Sequence, residues 1–552
     1  MFQKAAVNFM NRKGEETNGL PQSTSWLDSK TLFLNEDGSW DALQFQAGIR
    51  VLMSFSLIRK HEMLYFIHPL IQTWSRDRIP VANASDCCQK SRSLLACSLN
   101  TNLQEDNYRF CTLLAPHLKA NDEHAAQWIS DDQYYDDEKQ RFALVFYRVG
   151  DWGQTEKLLN EILRERETGL APLHPDTLTT MGHLAIIYWN QGKWKEAESL
   201  QVQVMEAVKE KFGPFHPSTL TVMNNLALTY RDQGKWKEAE SLQVQVMDTS
   251  KEKLGSLHPS TLSAMGNLAV TYRDQGKWKE AENLDVQVME ARKEKLGPLH
   301  PDTLTAMGNL AATNSNQGKW KEAENLQVQV MEVSKEKLGP LHPSTLTAMG
   351  HLAVTHSNQG KWKEAESLQV QVMEARKERF GPLHPDTLTA MGHLASTYRN
   401  QGKWKEAESI QVQVMETSKE RLGPLHPGTL TAMGNLALTY WNQGKWKEAE
   451  GLQVQVMEAS KEKLGLLHPD TLTVMANLAL TYRDQSKLKD ARELLDTSIN
   501  GMKQVLGAEH PRTIQYLQAL TNITQHGDKK ASRTIKDALN KSVNKIRSII
   551  PK

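Results

Sequence analysis

Two sets of side chains recur along this chain at a fixed interval of 42 residues and are capable of chemistry. The first is a histidine followed by proline, at His174, His216, His258, His300, His342, His384, His426, His468 and His510. Histidine is the commonest metal ligand, yet a site needs several ligands close together, and no cysteine or second histidine stands at ligand spacing beside any of these. Helix entry and contact between copies are the expected roles. The second set varies from copy to copy. One column takes only His or Asn: His183, Asn225, Asn267, Asn309, His351, His393, Asn435 and Asn477. Three residues on, the column of Ile186 runs through Leu228, Val270, Ala312, Val354, Ser396, Leu438 and Leu480. Three further on it reads Trp189, Arg231, Arg273, Ser315, Ser357, Arg399, Trp441 and Arg483. The next position reads Asn190, Asp232, Asp274, Asn316, Asn358, Asn400, Asn442 and Asp484. A guanidinium takes a carboxylate through two parallel bonds, an indole offers an aromatic face, and an amide donates to and accepts from a peptide main chain at once. This is the chemistry of recognition.

Bond-making chemistry finds no foothold. There is no GxSxG, HExxH or glycine-rich phosphate loop, and the pair Gly14 and Gly19 lacks the Lys-Ser/Thr that would complete one. No enzyme activity, cofactor or metal is expected. Cys87, Cys88, Cys97 and Cys111 lie outside the repeats without a CxxC pair and read as reduced thiols of a cytoplasmic protein. The charges nearly cancel, 66 basic against 65 acidic, which argues against a nucleic-acid or membrane-surface role. No apolar run approaches the roughly 18 residues of a membrane span. The opening MFQKAAVNFMNRKGEETNG lacks the apolar core of a secretory signal.

The elements that position these columns follow from the apolar spacing. From Pro175, a residue suited to the first helical turn, Leu178, Met181, Leu184, Ala185 and Tyr188 form a stripe at spacings of three and four, until Gly192 stops the helix. A second helix is expected from about Lys193 to Phe212, with Trp194, Ala197, Leu200, Val204, Met205 and Val208 as its stripe, ended by Gly213-Pro214. One helix pair cannot bury both stripes. Stacked pairs can, so the Trp, Leu, Ala and Met columns are expected to form a continuous solenoid core. The Trp column runs from Trp194 to Trp446, a diverged copy begins near residue 136 around Trp152, and the array is expected to span 136–526 in about nine helix pairs.

The pattern Leu226-Ala227, Tyr230, Gly234 and Glu238-Ala239 resembles the tetratricopeptide repeat. The 42-residue period, the His-Pro start and the long second helix resemble the kinesin-light-chain type of that repeat. The resemblance implies an all-α, right-handed superhelical solenoid. It also implies that positions 183, 186, 189 and 190 of the first copy, which share one helix face, line a concave groove for extended peptides. Asn190, Asp232, Asp274 and Asn316 would join the His/Asn and Trp/Arg/Ser columns there. The Asn ladder would hold a main chain, and the arginines would favour acidic partners. Gly182, Gly266, Gly308, Gly350, Gly392 and Gly434 either admit a ligand backbone or let neighbouring helices pack closely. The variation itself has two readings, drift at exposed positions or diversified ligand contacts. The constancy of the Lys193, Lys195 and Glu196 columns favours the second. Asn314 and His356 replace a packing Tyr, so a looser, less charged middle is expected.

The ends differ in kind. Residues 1–26 are expected to be disordered. Residues 27–80 show helical spacing at Phe45, Ile49, Leu52 and Phe55, a β-like piece over Met63–Ile67, and a helix through Trp74. With Ser54-Phe55-Ser56-Leu57-Ile58, His68-Pro69-Leu70 and Trp74-Ser75-Arg76-Asp77-Arg78, this resembles the winged-helix module of fungal NB-ARC/tetratricopeptide proteins of the STAND signalling class. The segment is only mildly basic, so nucleic acid is not expected as a partner. Residues 81–135 read as a helical bridge. Residues 527–552 read as a basic amphipathic helix, with Ile535, Leu539, Val543, Ile546 and Ile550 on one face, that caps the last repeat or makes a weak membrane or partner contact. The leading expectation is a protein-interaction scaffold. A STAND sensor without its nucleotide-binding domain comes second. A kinesin-light-chain cargo adaptor comes third, because residues 1–135 lack sustained heptads.

Overall fold

The computed structural model describes residues 58–61, 64–67, 81–97, 99, 108–125 and 136–525. The expected disordered segment 1–26, the terminal helix 527–552 and most of the winged-helix-like stretch lie outside them. Contacts divide the chain into two units, residues 1–187 and 188–552.

In the first unit Ile58–His61 and Leu64–Ile67 form an antiparallel hairpin, with Ile58 opposite Ile67 and His61 opposite Leu64. The second strand falls where the sequence indicates one; the first was not expected. Helices Val81–Cys97 and Tyr108–Ala125 occupy the bridging segment. Asp136–Val149 and Trp152–Gly169 form the diverged first pair. Their packing includes charged groups as well as Leu158, Ile162, Val145 and Phe146. Arg166 reaches both oxygens of Asp136, at 2.9 and 2.6 Å, and donates to Thr180 Oγ1 at 2.8 Å. Buried Lys139 pairs with Glu165, and buried Glu138 accepts from Ser93 Oγ at 2.8 Å.

The second unit alternates two helix types with the expected boundaries. Pro217–Asp232 has 16 residues and Trp236–Leu254 has 19, and the pair recurs with little change to Pro469–Asp484. The His-Pro column does start the first helix. His216 is its N-cap, its Nδ1 accepting from the Ser218 N–H at 3.2 Å, and Pro217 follows where no amide hydrogen is needed. Thr219 Oγ1 donates to the Gly213 carbonyl at 2.8 Å, tying this helix start to the end of the preceding helix. The core is continuous. Leu220, Met223 and Val246 of one copy pack with Ala264 of the next and Met205 of the one before.

The Trp column corrects the sequence reading. Its members open the second helix and none is buried: Trp194, Trp236, Trp278 and Trp320 are half-buried, and Trp362, Trp404 and Trp446 are 42%, 41% and 40% exposed. The first residue of a helix faces the turn before it, and Trp236 Nε1 accordingly donates to the Arg231 carbonyl at 3.1 Å. On the buried side of the same helix stands a residue outside the expected stripe, Gln243, fully buried, as Gln201, Gln327, Gln369, Gln411 and Gln453 nearly are.

Neighbouring copies are clamped by one recurring polar contact. Gln233 Nε2 donates to the Trp194 carbonyl at 2.9 Å and to Glu198 at 2.8 Å, and Lys235 Nζ pairs with the same carboxylate at 2.8 Å. The Lys235 ammonium also sits 5.1 Å from the centre of the Tyr230 ring. The same clamp joins Glu240, Glu282, Glu324, Glu366, Glu408 and Glu450 to the following copy. The Lys193-type column is therefore held by structure, and its constancy does not bear on the drift of other columns.

Within this unit the array winds back on itself. His426 Nε2 donates to the Asn190 carbonyl at 2.9 Å and His468 Nε2 to the Asp232 carbonyl at 3.0 Å, each across 236 residues. His510 makes the equivalent contact with the Asp274 backbone. The glycine turns fit beneath these corners. Gly192 and Gly234 have φ of +69° and +74°, and a Cβ there would stand 2.4 Å from Pro427 Cδ and 2.7 Å from Pro469 Cδ. Gly360 has nearly the same φ, +78°, with open space around it. Gly234→Ala therefore carries both left-handed strain and a clash, and Gly360→Ala only the strain of about 1–2 kcal/mol. Thermal unfolding of the two variants should show the larger loss for Gly234→Ala; equal losses would mean that the turns are not in contact.

Candidate peptide-contact face

The face predicted to line a groove divides into groups with different surroundings. In the first unit, His183 and Ile186 line a cavity of about 470 Å³ with Leu144, Tyr147, Leu159 and Ile187. Its walls are mainly apolar, and burial, then Arg166, holds the His183 pKa below its ordinary value.

In the second unit the Trp/Arg/Ser column is stitched to the Asn/Asp column of its own copy or of the next. Trp189 Nε1 donates to Asp232 Oδ2 at 2.8 Å, and Trp441 Nε1 to Asp484 Oδ2 at 2.8 Å. Arg231 grips Asp232 at 2.8 Å and reaches Asp274 at 3.8 Å, while Arg483 holds Asp484 at 2.7 Å. Asn400 Nδ2 donates to Ser357 Oγ at 3.4 Å, and Ser315 Oγ lies 3.3 Å from Thr355 Oγ1. The aspartates thus follow a Trp or Arg, and a serine is followed by asparagine. Part of the variation among copies is matched pairing between them, a reading that neither drift nor ligand contact anticipated.

Arg273 has a further task. Its Nη1 donates to the Asn309 carbonyl at 3.2 Å and lies 3.3 Å from Thr313 Oγ1, which itself donates to buried Asp285 at 2.6 Å. Burial raises the Asp285 pKa, while Thr313 and Arg273 oppose the rise. Arg231, Arg483 and Arg273 are therefore engaged. Arg399 differs: its Nη1 is buried and has no hydrogen-bond partner among the described residues, and burial lowers its pKa.

The His/Asn column looks onto space. Asn267 Nδ2 donates to Asn224 Oδ1 at 3.0 Å, and Asn477 Oδ1 accepts from Tyr516 at 2.9 Å. The side-chain amides of Asn225, Asn309 and Asn435 make no hydrogen bond with the described residues. His351 and His393 are exposed, yet nearby protein and Arg376 hold their pKa values below the ordinary imidazole range. Beside them, a Cβ added to Gly266, Gly308, Gly350, Gly392 or Gly434 would meet nothing within 4 Å. Of the two glycine readings, close helix packing does not occur at these positions. In the middle of the array Asn314 is buried with its Oδ1 unpartnered, and His356 Nε2 lies 3.2 Å from Glu324.

Where the turns meet, a second cavity of about 490 Å³ gathers Arg231, Asp232, Arg273, Asp274 and Asn316 with His468, His510 and Arg512. Trp194 and Trp236 stand 6.0 and 6.4 Å from the His468 and His510 rings. This convergence was not visible in the sequence, because it depends on how far each copy rotates relative to the last.

The tetratricopeptide-repeat signature matches residues 138–210, 176–252, 218–294, 260–336, 302–378, 344–420, 386–462 and 429–504. The chain belongs to the tetratricopeptide-repeat family. Among solved structures it is similar to a Podospora anserina putative kinesin light chain of nearly identical TPR-like repeats. The identity is 31% over 37% of this chain and 97% of that one, with a TM-score of 0.32. It is also similar to a STAND protein with a tetratricopeptide-repeat sensor from Pyrococcus horikoshii, at 14% identity over 85% and 68% of the two chains and a TM-score of 0.38. BtubC (BKLC) from P. vanneervenii matches at 14% identity over 45% and 92%, with a TM-score of 0.33. No curated protein matches the chain.

Two substitutions probe the groups behind this face and at the seam. Asp285→Gln restores the residue carried by the copies from Gln201 to Gln453. A raised carboxylate pKa penalises the folded state above that pKa and vanishes once the group is protonated in both states. The variant should gain on the order of 1 kcal/mol at pH 7, less toward pH 4, by chemical denaturation. At the seam, His510 is held at about 4 by burial and by Arg512. Its neutral form carries no penalty above about pH 6.5. From there down to about 4 the unfolded chain binds a proton that the folded one does not, so stability falls with pH. His510→Asn, which keeps a helix cap, should flatten that part of the pH–stability curve.

Proposed function

We propose that this chain is a non-enzymatic interaction scaffold whose first-helix face takes extended peptide segments. The observation that carries this reading is the open column of glycines beside unbonded asparagine amides. A glycine inside a helix costs about 1 kcal/mol against alanine, and here no neighbour requires the missing side chain. A ligand backbone approaching closely would require it. Packed helices stand about 10 Å apart and an extended peptide rises roughly 3.3 Å per residue, so successive amides would hold about every third residue of a bound strand. Arg399 supports a preference for a carboxylate, since its half-buried guanidinium makes no ion pair with the described residues.

The test is selection of binders to the full chain from a random peptide library, followed by anisotropy titrations of the selected peptides. Gly350→Leu fills the open face without touching the core and should weaken binding at least about tenfold. Arg399→Leu should weaken peptides with an acidic residue more than their amide counterparts. Lys337→Ala, on the opposite helix, should leave both unchanged. Selected peptides that bind Gly350→Leu as well as they bind the native chain would remove this face from the function.

A further inference from the structure

The contact that seals one turn of the array on the next has two halves, and the sequence repeats both in each copy from His174 to Trp446. One half is the His-Pro corner at the start of a first helix. The cap bond occupies Nδ1, so the ring proton sits on Nε2 and points away from the helix, as His426 and His468 demonstrate. The other half is the Gly-Lys-Trp turn, which offers a carbonyl, a glycine with no side chain in the way, and an indole. Corners of the copies at His426, His468 and His510 fill turns at Gly192, Gly234 and Gly276.

The remaining halves in the second unit are built alike. Among the described residues nothing lies within 4 Å of a Cβ placed on Gly318, Gly360, Gly402 or Gly444. The indoles beside the last three, Trp362, Trp404 and Trp446, are exposed, and Trp320 beside Gly318 is half-buried without a facing ring, whereas Trp194 and Trp236 stand against histidines of the facing turn. On the opposite edge, Pro217, Pro259 and Pro301 are exposed, whereas inside the seam Pro469 is buried and Pro427 half-buried, Pro511 at its end staying exposed. His216, His258 and His300 keep the same cap bond through Nδ1, and their Nε2–H groups have no hydrogen-bond partner among the described residues.

We propose that a second copy of this chain docks there, its corners at His216, His258 and His300 on the turns at Gly360, Gly402 and Gly444 of the first. The argument is continuity with the contact already made within the chain: both surfaces, their polarity and their 42-residue spacing are those of the existing seam. The two surfaces differ from each other, so the association is head-to-tail. Each added copy leaves one edge of each kind open, and growth does not stop at a pair.

Sedimentation of the full chain across the micromolar range tests this. The expected result is a mass that rises with concentration past the dimer. Trp362→Glu/Trp404→Glu/Trp446→Glu removes the turn edge, and His216→Asn/His258→Asn/His300→Asn removes the corner edge while keeping helix caps. Each variant alone should be monomeric. Mixed in equal amounts, they should form a dimer and nothing larger, because only one productive pair of edges remains. Circular dichroism checks that both remain folded, and single substitutions at Trp404 and His258 replace any triple variant that does not. Those singles should each raise the apparent dissociation constant at least about tenfold. A native chain that stays monomeric throughout, or edge variants that associate as well as the native chain, would overturn the proposal.

Discussion

Each copy in the array hands one carboxylate to the copy that follows. Glu198 is gripped by Gln233 and Lys235, and the same three side chains recur down to Glu450, Gln485 and Lys487. Lys361 and Gln359 depress Glu324 to about 2. Apolar packing drives the stacking of helix pairs, but it tolerates small rotations. A two-pronged polar grip combined with a bond to the Trp194 carbonyl does not. The step from copy to copy is therefore nearly constant, and a constant step is what brings His426, His468 and His510 to equivalent places on the preceding turn. An error of a few degrees per copy would accumulate over six copies and open the seam.

That seam changes how the variable positions are read. A solenoid's stability is ordinarily a sum of repeat and nearest-neighbour terms. Here copies six apart also touch, and the residues at the junction, Arg231, Asp232, Arg273 and Asp274, belong to the columns that vary most. Those columns serve three masters: the neighbouring copy, through pairs such as Trp441 with Asp484; the facing turn; and whatever the open face receives. At Asn309 the neighbouring copy uses only the main chain, through Arg273, while the side-chain amide makes no hydrogen bond with the described residues and a Cβ on Gly308 would meet nothing within 4 Å.

Much of this was legible in the letters. Helix boundaries followed from Pro, Gly and the apolar spacing, since a constant local environment produces constant local signals. The His-Pro column was read correctly as helix entry, because N-capping is a local property. The Trp column was misplaced in the core: periodicity identifies a face, but the first residue of a helix faces the turn whatever its hydrophobicity. Gln243 was missed for the converse reason, as a buried amide in a helix gives no apolar signal. The pairing of Arg273 with Asp285 through Thr313, and the meeting of Trp194 with His468, required the rotation per copy, which no single repeat encodes.

The seam also gives the number of copies a meaning. A copy meets another only when a sixth successor exists, so an array of six has no seam and each copy beyond that adds one. Nearly identical tandem units are gained and lost in whole numbers. The loss of three would leave every helix, cap and clamp in place and yet remove all three of the contacts described. Length in this chain is thus not a continuous quantity: there is a threshold below which the array is an open arc and above which it is a closed coil.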